Sequence, residues 1–223
     1  GEQTFLDIIN KFPDSGSTDI QGIDYSDIEG LSYRNEKNIV CNTGIRNRIK
    51  DFSLIPSPYL DGFFDELIEF VGNSHSWLAS WESNRGCPFA CTFCKAPFME
   101  GDLRSNSAEY MVNQLRALHD EYGMDQFNIG DSNFSIPKPR MIEFCELMKS
   151  SGLSKKISLW IQMSATVPMK SEELFSLKEA GVSMIGIGVE RFDDETRRNI
   201  KKTGTRAQVM KIIEKIQRNQ VTK

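Results

Sequence analysis

Apolar positions change rhythm partway along the 223-residue chain. In the first segment, Phe5, Ile8, Ile9 and Phe12 recur at helical spacing, which predicts a short helix over GEQTFLDIINKF. SGSTD then reads as a loop, and GLSYR and NIVCN flank the polar RNEKN as two β-prone runs of a hairpin. IPSPYLDG is a proline-punctuated linker, and FFDELIEFVG predicts a short helix that stops at Gly72. From Trp77 the pattern becomes regular. LASWESN, QFNIGD, KISLWIQMS and VSMIGIGVE read as strands, and each is followed by a helical run. The first of these helices carries Met111, Leu115, Leu118 and Tyr122 on one face, with Asn106 and Glu109 spaced like a capping box. PRMIEFCELMKSSG is the second. Ser171 is placed to cap the third, with Glu172 and Glu173 in its first turn and Gly181 as its stop. A short DDETRRNIKK helix and a longer one after Thr205 close the pattern.

Strand then helix, four times over, predicts parallel strands joined by helical crossovers, an α/β architecture. In such sheets ligands sit at the carboxyl ends of the strands, and here the strand-end loops begin near Asn84, Asp131, Gln162 and Glu190.

Composition narrows the functional classes. Hydrophobic residues make up 39% of the chain and charged residues 26%, the profile of a globular protein in water. A net charge of -4 and a pI near 5.4 give no electrostatic case for a nucleic-acid partner. No apolar run reaches the ~20 residues of a membrane span, and the start lacks the signal-peptide pattern. The start also lacks an initiator Met, so a fragment of a longer protein is expected. Five cysteines, three of them clustered, fit a reducing cytoplasmic compartment better than a disulfide framework.

The cluster is RGCPFACTFC, which places Cys87, Cys91 and Cys94 at spacing C-x3-C-x2-C. Three chemistries compete for it. A structural zinc site needs a fourth ligand, from Cys41, Cys145, His75 or His119, and no second paired motif is present. Packing as small hydrophobes suits the segment poorly, because Gly86 and Pro88 break regular structure and Thr92 and Lys95 are polar. An iron–sulfur cluster of the 4Fe–4S type held by three thiolates would leave one iron open to an exogenous ligand.

The C-x3-C-x2-C run with Phe93 before its last cysteine resembles the radical S-adenosylmethionine enzymes. The resemblance implies a full or partial (β/α) barrel of TIM type with the cluster loop after its first strand. It implies that Cys87, Cys91 and Cys94 ligate a 4Fe–4S cluster whose open iron takes the amino and carboxylate groups of S-adenosylmethionine. Reductive cleavage of the sulfonium then gives methionine and a 5′-deoxyadenosyl radical. Phe93 would lie near the adenine. DSNF, from Asp131 to Phe134, resembles the DDNF of cobalamin-associated members, so Asp131 would accept from the cofactor's ammonium. GVER resembles the strand-four motif, with Glu190 on the ribose or amino group, and Lys202 stands where the family often carries a basic residue for the carboxylate. Gln162 and Ser164 stand where relatives carry Gln followed by Arg-Ala-Asp; the Ser164-Ala165-Thr166 found here departs from that pattern.

The same resemblance divides the chain. Residues 1–76 look like the tail of a preceding cobalamin-binding domain plus linker, and residues 77–223 like the first four βα units of the radical core, truncated before strands five and six. It implies an oxygen-sensitive enzyme whose parent is a cobalamin-dependent methyltransferase or carbon-skeleton-modifying enzyme, with cobalamin bound by a domain absent from this chain. Its partners would be a small-molecule or lipid-like substrate and an electron donor such as flavodoxin or ferredoxin. A cobalamin-independent relative that inserts sulfur, and a non-catalytic iron–sulfur or zinc module, are the rival readings. Cys145 is expected in the core, Cys41 in the hairpin and His119 at a helix end. Trp81 and Trp160 are expected to pack within strands. His75 is given no catalytic role, and the charge pairs at 155, 197 and 201 read as solvated faces.

Overall fold

A computed structural model of the chain describes residues 1–12, 22–72, 77–96, 102–219 and 221. The expected SGSTD loop and His75 lie outside the described residues. The chain forms two compact units, Gly1–Lys50 and Asp51–Lys223.

In the first unit, α1 (Glu2–Ile9) precedes an antiparallel hairpin of β1 (Ser32–Arg34) and β2 (Val40–Asn42), with Tyr33 opposite Cys41. The Asn35 side chain accepts from the backbone N–H groups of Lys37 and Ile39, which fixes the turn in RNEKN.

In the second unit, α2 (Asp65–Val71) ends at Gly72 as its sequence predicts. Four parallel strands follow, β3 (Leu78–Trp81), β6 (Gln126–Ile129), β7 (Ser158–Ser164) and β8 (Val182–Gly188), side by side in chain order. The crossovers are α3 (Ala108–Tyr122), α4 (Lys138–Ser150) and α5 (Ser171–Glu179), and α6 (Asp194–Asn199) and α7 (Arg206–Arg218) follow β8. This is the α/β architecture that the periodicity predicts and the partial TIM-like barrel that the family resemblance implies. Between β3 and α3 lies a two-residue antiparallel pairing, β4 (Asn84–Arg85) with β5 (Arg104–Ser105), which periodicity does not reveal.

Alternation along the strands sorts the two faces. Phe127, Ile129, Leu159, Ile161 and Met163 are buried against the helices, where Met111, Leu115, Phe144, Met148, Leu174 and Leu177 complete one core. The opposite face carries Asn128, Trp160, Gln162, Met184 and Gly186. On it Trp160 pairs with Met184, Gln162 with Gly186 and Ser164 with Gly188.

Two helix starts differ by one residue from the sequence expectation. Ser107, in place of Asn106, caps α3 by accepting from Tyr110 N–H, and the Asn106 backbone N–H donates to Ser83 O at 3.0 Å, so it is not there for Glu109 to close a capping box. Lys170 is the N-cap of α5, and Glu173 reaches back to its backbone N–H at 2.7 Å. Glu173 also pairs with Lys138 of α4 at 3.1 Å, tying two crossovers together.

Cys145 packs in the core at 1% exposure, and burial pushes its thiol up to about 12. Iodoacetamide at mildly alkaline pH should therefore leave Cys145 unmodified in the folded protein and alkylate it fully after unfolding, as read by peptide mass spectrometry. Cys41 lies in β2, and His119 Nδ1 meets Met124 O at 2.9 Å just past the end of α3.

Candidate active site at the carboxyl ends of the strands

The segment after β3 turns at the Gly86-Cys87-Pro88 corner into a loop without regular structure, so its cysteines are free of any ladder. Cys87, Cys91 and Cys94 all line one cavity of about 440 Å³. Cys91 is buried, while Cys87 and Cys94 are half-buried. Two backbone bonds shape the loop: Cys94 N–H donates to Cys91 O at 3.1 Å, and Thr92 N–H donates across to Ile200 O at 3.0 Å. Burial pushes the Cys91 thiol up, the Lys202 charge pulls it down, and the neighbouring Cys87 and Cys94 push it up again.

No group of three His, Cys, Asp or Glu among the described residues converges to hold one metal ion. Convergence on a point is what a zinc site asks of its ligands. A 4Fe–4S cluster instead takes each thiolate on a different iron, so three cysteines around a cavity suit its donor set.

The other walls come from the remaining strand ends. Ser132 and Asn133 follow β6, Gln162, Met163 and Ser164 end β7, and Gly186, Ile187 and Gly188 end β8. Phe93, half exposed, Glu190 and Lys202 also line the cavity, so five sequence-selected residues besides the cysteines meet there: Phe93, Gln162, Ser164, Glu190 and Lys202. Lys202 Nζ stands 3.4 Å from Glu190 Oε1 and 6.0 Å from the Phe93 ring centroid. Gly188 leaves room for this pair, because a Cβ there would lie 3.0 Å from Lys202 Nζ and 3.2 Å from Glu190 Oε1.

Asp131 is placed differently from its expected position. It is fully buried, does not line the cavity, and holds the root of the cluster loop. Its carboxylate accepts from Ser83 N–H at 2.6 Å, from Ser83 Oγ, and from Asn84 N–H at 2.9 Å. Arg140 pairs with it at 3.5 Å, donates to Ser83 O and Oγ, and lies over the Phe134 ring. Burial pushes the Asp131 carboxyl up, against the pull of these donors. A group with this many intramolecular donors has no accepting capacity left for a ligand's ammonium. In its place Asn133 of the same DSNF motif reaches the cavity; its Oδ1 accepts from Ser135 Oγ and, at 3.4 Å, from Ser164 N–H.

Arg197 is the second correction. Its place in an Arg-Arg pair suggests a solvated face, yet it is only 1% exposed. All its described partners are carbonyls: Val189 O at 2.7 Å, Arg191 O at 2.9 Å, Thr203 O at 2.6 Å and Gly204 O at 3.0 Å. No periodic signal marks such a residue, because its partners are backbone carbonyls.

The superfamily's sequence signature, described as Radical SAM superfamily, matches residues 81–223. The chain belongs to the radical SAM superfamily, a family of enzymes. An uncharacterized methyltransferase of Pyrococcus horikoshii is 29% identical over 191 residues, covering 85% of this chain and 39% of that protein. The cobalamin-dependent radical SAM methyltransferase TokK of Streptomyces tokunonensis is 30% identical over 129 residues, covering 56% of this chain and 18% of TokK. Among solved structures, the cobalamin-dependent S-adenosylmethionine radical enzyme OxsB with aqua-cobalamin bound superposes with a TM-score of 0.75 at 22% identity, covering 100% of this chain and 31% of OxsB. The chain thus spans well under half the length of these relatives. No described helix is long and apolar enough to cross a membrane.

Proposed function

We propose that Cys87, Cys91 and Cys94 hold a 4Fe–4S cluster in this cavity, with S-adenosylmethionine bound beside it and on its fourth iron. The observation that carries the reading is the meeting of three thiols, an aromatic ring and one opposite-charge pair in one cavity at the carboxyl ends of parallel strands. Glu190 and Lys202 suit the two poles of an α-amino-acid group, carboxylate for ammonium and ammonium for carboxylate. Phe93 offers a flat apolar face for a purine, and Gln162 offers both donor and acceptor at the end of β7. The chemistry supplied there when both groups are bound is one-electron cleavage of the sulfonium, which generates a carbon radical for hydrogen abstraction. This chain's residues orient the cofactor and keep it against the cluster.

For the longer protein we propose cobalamin-dependent methyl transfer or a carbon-skeleton change on a small-molecule or lipid-like substrate. An electron donor such as flavodoxin or ferredoxin would supply the reductant in the cytoplasm. The similarity to TokK, a cobalamin-dependent radical SAM methyltransferase, supports the cobalamin part; likeness of fold alone does not specify a reaction.

Anaerobic reconstitution with iron and sulfide, followed by electron paramagnetic resonance of the reduced protein, tests the cavity. The expected result is a cluster signal that changes line shape when S-adenosylmethionine is added. A signal indifferent to S-adenosylmethionine, or zinc uptake with no iron retained, sinks the reading.

A further inference from the structure

We propose that Arg197 is the positioning residue of the cavity's charged wall, setting Glu190 and Lys202 at once; this rests on the cofactor reading above. The four carbonyls it binds are not scattered. Val189 and Arg191 are the two neighbours of Glu190, and Thr203 and Gly204 follow directly on Lys202. Its own carbonyl accepts the Lys202 N–H at 2.8 Å, so α6 fixes Lys202 from the other side as well. One planar guanidinium therefore staples the chain on both sides of α6, and the two stapled stretches are the ones that carry the cavity's ionic pair.

The backbone shows what this staple has to hold. Glu190 has φ 62 and Lys201 φ 52, both in the left-handed region that residues with a Cβ avoid by roughly 1–2 kcal/mol. Such conformations persist where the surroundings over-determine them. The Val189 carbonyl belongs to the peptide plane before Glu190 and accepts from Arg197. It also accepts from the Arg191 N–H at 2.8 Å, which belongs to the plane after Glu190. The Arg191 carbonyl, bound by Arg197, ties down the next plane along. The 203–204 stretch is seated independently: Thr203 Oγ1 meets Thr166 Oγ1 at 2.8 Å, and that oxygen meets Ser164 Oγ at 2.9 Å. Gly204, at φ +75, has no room for a Cβ, which would fall 2.2 Å from Thr166 Cγ2. The segment is thus registered against the end of β7, and Arg197 carries that register over to Glu190. A buried arginine serving only as filler has no reason to select carbonyls that bracket Glu190 and directly follow Lys202. Lysine cannot replace it, having a compact charge without the planar fork that spans separated acceptors.

The test uses the full chain with its cluster reconstituted, and S-adenosylmethionine as the titrant. Arg197→Lys and Arg197→Gln should weaken binding on the order of tenfold or more by calorimetry. Iron content and the cofactor-free cluster spectrum should match wild type. The same Arg197→Lys change in a Glu190→Gln/Lys202→Met background should cost less than about twofold, because its effect passes through those two side chains. Wild-type affinity in both single variants overturns the proposal. An equal loss in both backgrounds overturns it too, as does global unfolding of both variants, since each assigns Arg197 to the fold alone. Failure of the wild-type protein to bind S-adenosylmethionine overturns the cofactor reading itself, which separates the two failures.

Discussion

Alanine at Cys87, Cys91 or Cys94, one at a time, is expected to abolish retention of iron and sulfide after reconstitution and gel filtration. The visible charge-transfer absorption should disappear with them. The magnitude follows from the donor count: three thiolates leave one iron open, and removing a thiolate leaves a second iron without a protein ligand. The fold itself should survive. Cys87 and Cys94 are only half-buried, and the loop is held by the Thr92–Ile200 and Cys94–Cys91 backbone bonds, which involve no thiol. Far-ultraviolet circular dichroism should therefore match wild type while iron drops to background. Cys41→Ala and Cys145→Ala serve as controls that keep their iron, since neither thiol lines the cavity. Full retention in all three single variants would refute the assignment.

The second large effect concerns the buried pair beneath the loop. Asp131→Ala strands the Arg140 guanidinium in the interior, along with the N–H groups of Ser83 and Asn84. Breaking a buried ion pair by removing one partner costs about 3–5 kcal/mol. Asp131→Ala should accordingly lower the denaturant midpoint by a large part of the protein's total stability. Arg140→Met should be damaging as well. The double variant Asp131→Leu/Arg140→Met should lose less than the two single costs added together, because neither charge is then left alone. Recovery should be incomplete, since the Ser83 and Asn84 N–H groups stay unpaired. Strict additivity in urea unfolding would show that the pair is not the coupled unit its geometry describes.

The contrast between Asp131 and Glu190 shows where the sequence stops being informative. Both stand at strand ends inside recognisable motifs, and strand periodicity locates both ends correctly. Which way the side chain turns depends on partners that sequence proximity does not reveal. For Asp131 the partners are Ser83 and Asn84, more than forty residues earlier, and Arg140 in the next helix. Arg197 was illegible for the same reason: its acceptors are backbone carbonyls, which carry no residue identity. The shift from Asn106 to Ser107 at the α3 cap is a smaller case. Either residue can cap a helix, and the Asn106 N–H that a capping box would use is given to the Ser83 carbonyl, more than twenty residues earlier. What was legible rested on period and on covalent spacing. The four βα units and the cysteine run each repeat or cluster within a window shorter than any tertiary influence.

The facing pairs on the open side of β7 and β8 run Trp160–Met184, Gln162–Gly186 and Ser164–Gly188 toward the carboxyl ends. Read as a shape, that is a wedge, with bulk at the amino ends and almost none at the mouth. Tolerance to side-chain growth should fall along the same axis. Met184 can exchange for other large residues at little cost, whereas every added carbon at 186 or 188 is taken from the volume a ligand would fill. The taper reserves the mouth of this face for a ligand with two glycines, Gly186 and Gly188, that contribute no side chain to the core.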